Sequence, residues 1–197
     1  MSSESAYGDA ETRRRILDAA RRLLSERGAT VRLSDVAERA GVSRQALYLH
    51  FDGRSGLFVA LVQHMDETLE LGASVEQVFA APDGEELLTR LVRLNATFWA
   101  AVDPVAQVLE AGRHVDEAMR AAWDDRMAQR RAIFGAVVDR LAGSGELAAA
   151  WHPDDAAAVL YAAAHYDGWR ELLARFGWSE ERYVDALSLQ LRRSLLV

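Results

Sequence analysis

The chain contains no cysteine and no lysine among its 197 residues, and only three prolines. Without cysteine it has no disulfide bonds, no thiolate metal ligands and no cysteine nucleophile. The scarcity of proline, in a composition that is half apolar, favours a helical protein with a sizeable core. No apolar run reaches the roughly 18 residues of a membrane span, and the polar N-terminus lacks the apolar core of a secretion signal. We therefore expect a cytoplasmic protein.

Charge is distributed unevenly along the chain, whose formal net charge is -7. Residues 1–60 hold ten arginines and eight acidic residues, a net charge of +2, which leaves -9 for the remainder. An acidic body with a locally basic end is typical of a small nucleic-acid-binding module attached to a larger domain. The N-terminal third is therefore the part of the chain in which nucleic-acid contacts are expected.

Apolar residues recur at helical spacing along most of the chain. The first stripe precedes Gly28, where a C-cap glycine belongs, and comprises Ile16, Leu17, Ala20, Leu23 and Leu24. Later stripes predict a helix that opens at Pro104, a long helix over residues 115–142 and another from Pro153 to residue 176. The whole pattern predicts about nine helices and no strand, which is an all-α fold.

Two short helices meet at a turn formed by Gly41. The first is capped by Ser34 or by a residue just before it. The second, within the sequence GVSRQALYLHF, is capped by Ser43 and directs Leu47 and Phe51 inward. Two short helices joined through such a glycine turn form a helix-turn-helix, a geometry that also occurs inside ordinary helical bundles.

The residue types on the second short helix favour DNA. Arg44 matches the O6 and N7 acceptors of guanine, and Gln45 matches the N6 and N7 atoms of adenine. Both lie in the first turn, which is the end of a recognition helix that reaches base edges. Ala46 leaves room for close approach, and its methyl group or Leu49 fits a thymine methyl. Sequence reading is therefore expected at the start of this helix.

Three further polar residues lie beyond that first turn. Tyr48, His50 and Arg54 are better placed for phosphate oxygens than for base edges. Phosphate contacts fix the register of a protein on the duplex without reading the sequence.

Residues 12–58 resemble the N-terminal domain of the tetracycline-repressor-like (TetR) family of bacterial transcription regulators. The matching features are the helix ILDAARRLL ending at Gly28, the stretch VAERAGVS, and LYLHF with a basic residue shortly after it. The resemblance implies a homodimer on a palindromic DNA operator, with a variable C-terminal domain that dimerises and binds a small ligand. It also implies that Arg44, Gln45, Tyr48 and His50 face DNA.

Two positions depart from the family pattern. Arg32 stands where the family often has a threonine that caps the second helix and touches phosphate, so Ser34 is expected to take over the cap. Arg54 replaces the usual lysine and keeps its charge. The complete set of expected DNA-binding residues is Arg32, Ser34, Ser43, Arg44, Gln45, Ala46, Tyr48, Leu49, His50 and Arg54.

The division expected from this resemblance is a DNA-binding domain over residues 1–54 and an effector-binding, dimerising domain over residues 55–197. All five tryptophans lie in the second part. Large aromatic side chains with a few polar groups line small-molecule pockets, although they equally fill helical cores. The expected lining, for an apolar or aromatic effector, is Phe98, Trp99, Trp123, Met127, Tyr161, His165 and Trp169. The expected dimer interface is Ala157, Ala164, Gly168, Leu187, Leu191 and Leu195.

Other classes of function lack their sequence signatures. The chain has no glycine-rich phosphate loop, no GxSxG elbow and no HExxH motif, so we predict that it is not an enzyme. It has no closely spaced cluster of metal-ligating side chains on one face, and we expect neither a metal site nor a cofactor. We predict a repressor that a small-molecule effector releases from its operator. A DNA-binding regulator that responds to a protein partner, or to nothing, remains the alternative.

Overall fold

Helices occupy most of residues 2–197, the part of the chain that the computed structural model describes, the side chains of residues 2–8 and 29 excepted. Within this part there is no strand, and one isolated β-bridge pairs Leu147 with Leu196. The all-α prediction is confirmed. The helices are α1 (Ser2–Arg27), α2 (Leu33–Ala40), α3 (Arg44–His50), α4 (Gly53–Thr68), α5 (Leu71–Phe79), α6 (Gly84–Gly112), α7 (Glu117–Gly143), α8 (Pro153–Ala163), α9 (Tyr166–Arg170) and α10 (Glu180–Leu195).

The chain divides by internal packing into two compact units. The first comprises residues up to Thr68 together with Val102–Arg126, and the second comprises Leu69–Ala101 and Met127–Val197. The boundary expected at residue 54 separates two functions, whereas these units are defined by internal packing. The expected functional boundary therefore stays a prediction. None of the helices in residues 2–197 combines the length and apolar character that crossing a bilayer requires.

The N-terminal helices of the first unit form a small core of their own. Helix α1 packs against α2 and α4, and α2 packs against α3. Ile16, Leu23, Val36, Leu47 and Phe51 are all at most 3% exposed. Burying a side chain of this size stabilises a fold by about 1.5 to 3 kcal/mol, so this cluster sets the mutual positions of the first three helices.

Helix α6 continues through Pro104, and the prediction of a separate helix opening there is wrong. A proline inside a helix loses one hydrogen bond and crowds the preceding turn, which costs about 3 kcal/mol. The residues around it offset that loss, because Val102, Val105 and Ala106 are buried. Apolar packing on both sides of the proline therefore keeps the helix intact.

The helix predicted from Pro153 to residue 176 is also wrong, because α8 ends at Ala163 and α9 begins at Tyr166. The carbonyl of Ala164 accepts hydrogen bonds from Asn95 Nδ2 (3.0 Å) and Arg130 Nη2 (3.2 Å). These donors satisfy a carbonyl that a continuous helix would pair with its own backbone. Beyond α9 the chain forms a π-helical turn over Glu171–Arg175.

Candidate nucleic-acid interface

A glycine in the left-handed region sets the angle between α2 and α3. Gly41 has φ 67°, a value that is strained for residues with a Cβ, and the amide of the next residue, Val42, donates to the Ala37 carbonyl (3.0 Å). Ser43 then starts α3, since its Oγ accepts a hydrogen bond from the Ala46 amide (3.0 Å). The prediction of Ser43 as the cap is confirmed. Leu47, fully buried, fastens the inner side of α3 to the domain.

The start of α2 differs from the prediction that Ser34 caps it. The helix begins at Leu33 with Arg32 in the cap position, and Ser34 lies in the first turn. The reason is the carboxylate of Asp35, whose Oδ2 accepts from the Arg32 amide at 3.2 Å. This is the half of a capping box in which the third helical residue reaches back to the cap amide, while the Asp35 amide donates to the Arg32 carbonyl (3.0 Å). Both Arg32 and Ser34 remain exposed.

The outward side of α3 brings together the residues expected to read bases. Arg44, Gln45, Tyr48 and Leu49 are exposed, Leu49 to 83% and Tyr48 to 45%. Ala46 is half-buried beside them. A leucine this exposed beside polar neighbours is available to an apolar group such as a thymine methyl.

Two of these exposed residues hold each other. Arg44 Nη2 donates to the Tyr48 hydroxyl at 3.2 Å, and the guanidinium carbon lies 5.6 Å from the centre of the tyrosine ring. The hydrogen bond that Arg44 donates to Tyr48 raises the pKa of Arg44 above its usual value. The cation at the tip of α3 therefore contacts the hydroxyl and the ring of Tyr48 in the DNA-free chain.

The end of α3 is turned toward α1 instead of outward. The His50 ring has a side-chain exposure of 11%, and its Nδ1 lies 3.4 Å from Asp9 Oδ1, a pair that is ionic when His50 is protonated. The His50 carbonyl accepts from Arg13 Nη1 at 2.7 Å, and the Arg13 guanidinium lies 4.5 Å from the centre of the Phe51 ring. A phosphate contact by His50 stays a prediction, which this placement does not support.

Arg54 is likewise engaged within the first unit. Its Nη1 donates to the Val31 carbonyl at 3.1 Å, and its Nε lies 3.2 Å from Asp116 Oδ2. Asp116 also accepts from the amides of Ala118 (2.9 Å) and Met119 (3.2 Å), and so caps α7. Arg54 therefore joins the segment between α1 and α2 to the start of α7. Its predicted phosphate contact is untested, and sequence reasoning did not find its partner Asp116.

The aromatic residues expected to line an effector pocket are divided between the two units. In the second unit Phe98 contacts Trp99 (ring centres 5.6 Å apart), while Trp169 stacks on Tyr166 (6.1 Å), which in turn lies 4.8 Å from Trp99. In the same unit, the side chains of Tyr161 and His165 lie edge to face, 5.7 Å apart, and Met127 is buried. Trp123 belongs to the first unit, where the Arg113 guanidinium lies 5.6 Å from its ring.

Sequence reasoning missed a buried arginine among these rings. Arg130 is 7% exposed, and its guanidinium lies 4.6 Å from the centre of the Trp99 ring and 5.0 Å from that of Phe134. Near it, Asn95 Nδ2 donates to the Tyr183 hydroxyl (3.3 Å), and burial raises the pKa of Tyr183 to about 12. The signal was present in the helical spacing, since residue 130 shares one face of α7 with residues 123, 127 and 134.

The leucine stripe of α10 is buried within the single chain. Leu187, Leu191 and Leu195 are 7%, 1% and 0% exposed within one chain, and Ala164 is 1% exposed. Their place in a dimer interface stays a prediction, which this burial does not support, because the stripe already packs into the core of the second unit. Ala157 is half-buried and Gly168 exposed. The large apolar side chains that face outward on these helices are Val159 on α8 (41%) and Leu189 on α10 (43%).

Two open grooves lie on the second unit, and they share Arg93 and Thr97. One, of about 590 Å³, runs between α5 and α6, and the other, of about 340 Å³, runs between α6 and α10. None of the residues expected to line an effector pocket borders either groove.

A capped three-helix core that presents a short polar helix beyond a left-handed glycine is a helix-turn-helix domain of the DNA-binding class. Residues 16–61 match the family model described as bacterial regulatory proteins, tetR family. The N-terminal domain of the chain belongs to this family.

Comparisons over longer stretches agree with that assignment. The HTH-type transcriptional regulator TtgR of Pseudomonas putida is 46% identical over 59 residues, which cover 29% of this chain and 28% of TtgR. An HTH-type transcriptional regulator of Mycobacterium tuberculosis is 34% identical over 122 residues, 55% of this chain and 59% of that protein. The matched segments thus span less than two thirds of either relative.

The fold extends the likeness to almost the whole chain. A protein of Saccharomonospora viridis, whose crystal structure holds choline, superposes with a TM-score of 0.77 over 95% of this chain and 99% of that one. Its sequence identity is 21%, so this likeness concerns the fold alone.

Proposed function

We propose that the protein is a transcriptional regulator that binds a palindromic DNA operator as a homodimer, and that a small molecule releases it. The observation that carries the proposal is the exposed first turn of α3, where Arg44 and Gln45 stand beyond a Ser43 cap. Arginine and glutamine at that place match the acceptor and donor patterns of guanine and adenine in the major groove.

A dimer is needed because one short recognition helix contacts few base pairs. Two such helices about 34 to 36 Å apart would meet successive major grooves on one side of the duplex. The outward sides of α8 and α10 support an interface, since Val159 is exposed near the small residues Ala158 and Ala162 of the same helix and Leu189 is exposed on α10. We assign the interface to these sides in place of the buried leucine stripe, and we keep Ala157 and Gly168 as candidates.

The aromatic cluster of the second unit supports a small-molecule effector. The related Saccharomonospora viridis protein holds choline, a cation of the kind that aromatic faces attract. Here the Arg130 guanidinium already lies against the faces of Trp99 and Phe134. We therefore propose that the effector is an apolar or aromatic molecule instead of a quaternary ammonium ion.

A regulator without a small-molecule ligand is the second candidate. The tight burial of Trp99, Met127 and Trp169, each at most 5% exposed, favours it. Thermal denaturation of the purified protein with a panel of apolar and aromatic compounds separates the two. An increase in melting temperature together with release of DNA supports the effector, whereas release by a cellular protein alone supports the alternative.

The test of DNA binding is selection from a randomised duplex library with the purified protein at physiological ionic strength. We expect enrichment of a palindrome whose half-sites are one helical turn apart. Recovery of no enriched sequence, at a salt concentration that screens non-specific electrostatic binding, would contradict the proposal.

A further inference from the structure

The contact between Arg44 and Tyr48 lies on the surface that is proposed to read DNA. The two residues are four positions apart on α3, which places them on one side of the helix. Arg44 Nη2 donates to the Tyr48 hydroxyl at 3.2 Å, and its guanidinium carbon lies 5.6 Å from the centre of the tyrosine ring. Both side chains are exposed, so the contact is made without support from the protein core.

We propose that Tyr48 is a positioning residue that holds Arg44 in the direction in which it reads a guanine base. The inference rests on the proposed DNA-binding function and adds a role to it. A free arginine side chain loses rotamer freedom when it binds, whereas one that is already held loses less. The tyrosine therefore increases affinity for the cognate base pair through the arginine.

The hydrogen-bond inventory of the pair allows reading and positioning together. A guanidinium has five N–H donors, and Tyr48 takes one of them. The remaining donors include an edge that can meet guanine O6 and N7. The Tyr48 oxygen accepts from Arg44, so its own proton stays available to a phosphate oxygen. If Tyr48 contacts a phosphate, its contribution to DNA affinity is the same on every sequence. If Tyr48 positions Arg44, its contribution depends on the base that Arg44 reads.

The variant Tyr48→Phe keeps the ring and removes the hydroxyl. Its affinity is measured by fluorescence anisotropy on the duplex that the wild-type protein selects from a randomised library. We expect binding to weaken about three- to tenfold, the range of a lost intramolecular hydrogen bond. On a duplex in which the base pair read by Arg44 is replaced, the same substitution is expected to change affinity less than twofold. The base pair is identified as the one at which Arg44→Ala relaxes the selected preference.

A double-mutant cycle isolates the coupling of the two residues. In an Arg44→Ala background, Tyr48→Phe is expected to cost nothing further, because the group that it positions is gone. The matched control cycle pairs Tyr48→Phe with Gln45→Ala, a neighbour on the same turn that does not bond to Tyr48. In this control cycle the fold-losses in affinity of the two single variants are expected to multiply in the double variant.

Three results overturn the inference. An equal loss for Tyr48→Phe with and without Arg44, or on all duplexes, assigns Tyr48 to a phosphate contact alone. A gain in affinity shows that Tyr48 competes with DNA for Arg44. If the wild-type protein enriches no duplex in the selection, the proposed DNA-binding function itself is wrong. This result differs from the other two, which concern the Tyr48→Phe variant of a protein that does bind DNA.

Discussion

At the scale of single residues, Arg44 is expected to carry base specificity. Replacing Arg44 with alanine should lower affinity for the selected duplex by about 5- to 150-fold and relax preference at one base pair in each half-site. Anisotropy titrations on single-base variants of the duplex measure both effects. A uniform loss at every position would instead identify Arg44 as a phosphate contact.

Substitution of Arg54 shows whether this basic residue near the recognition helix contacts DNA or stabilises the fold. The guanidinium bonds to the Val31 carbonyl and lies 3.2 Å from Asp116 Oδ2. Arg54→Ala is expected to lower the melting temperature and to leave the salt dependence of DNA binding unchanged. A phosphate-contacting arginine would instead reduce the slope of log K against log salt by about one unit, the result that our sequence-based prediction requires.

The raised pKa of Asp66 makes the free energy of unfolding depend on pH. Burial raises its pKa to about 6, with smaller upward contributions from Asp125 and Glu67, and outweighs the attraction of its ion-pair partner Arg126. The folded protein therefore holds this proton more tightly than the unfolded chain does. The resulting stabilisation is complete below the unfolded pKa and is lost as pH rises through about 6.

This linkage is measured against Asp66→Asn, which cannot titrate. Between pH 5 and pH 7 the free energy of unfolding of the wild-type protein should fall by about 1 kcal/mol relative to that of the variant. Urea denaturation at both pH values measures the difference. A difference that does not change with pH would show that Asp66 titrates normally.

At the scale of helices, α3 depends on its cap. With seven residues it is too short to be stable alone, and the Ser43 hydroxyl satisfies the Ala46 amide. Ser43→Ala should destabilise the protein by about 0.5 to 2 kcal/mol and weaken binding to every duplex.

The control for this prediction is Ser179→Ala. Ser179 caps α10 in the same way, through a 3.1 Å hydrogen bond from the Arg182 amide, but it lies in the second unit. It is expected to cost similar stability and to leave DNA affinity unchanged. Equal DNA affinities for the two variants would show that α3 forms without its cap.

At the scale of the whole molecule, the dimer is expected to use the outward sides of α8 and α10. Val159→Glu or Leu189→Glu would place a carboxylate in an apolar interface, which should raise the dimer dissociation constant at least about tenfold. Light scattering after size-exclusion chromatography reads the change. Val115→Glu, at a position that is 90% exposed in the first unit, is the matched control. If the Val115→Glu control is monomeric, the dimer interface does not lie on α8 and α10 as proposed.

The sequence by itself determined the features that depend on neighbouring residues. The cap at Ser43, the turn at Gly41 and the inward side of α3 were all predicted, because each is governed by contacts within about one helical turn. The N-terminal family assignment followed from the same local pattern.

The tertiary structure decided which side chains those elements leave free. The break after α8 arises because Asn95 and Arg130, 69 and 34 residues away from Ala164, donate to its carbonyl. Arg54 turns inward because of Val31 and Asp116, and the α10 leucines are buried because other helices of the second unit cover them. An apolar stripe or an arginine in the sequence indicates what a helix can bind. Which partner the helix binds is determined by the packing of segments that are distant in the sequence.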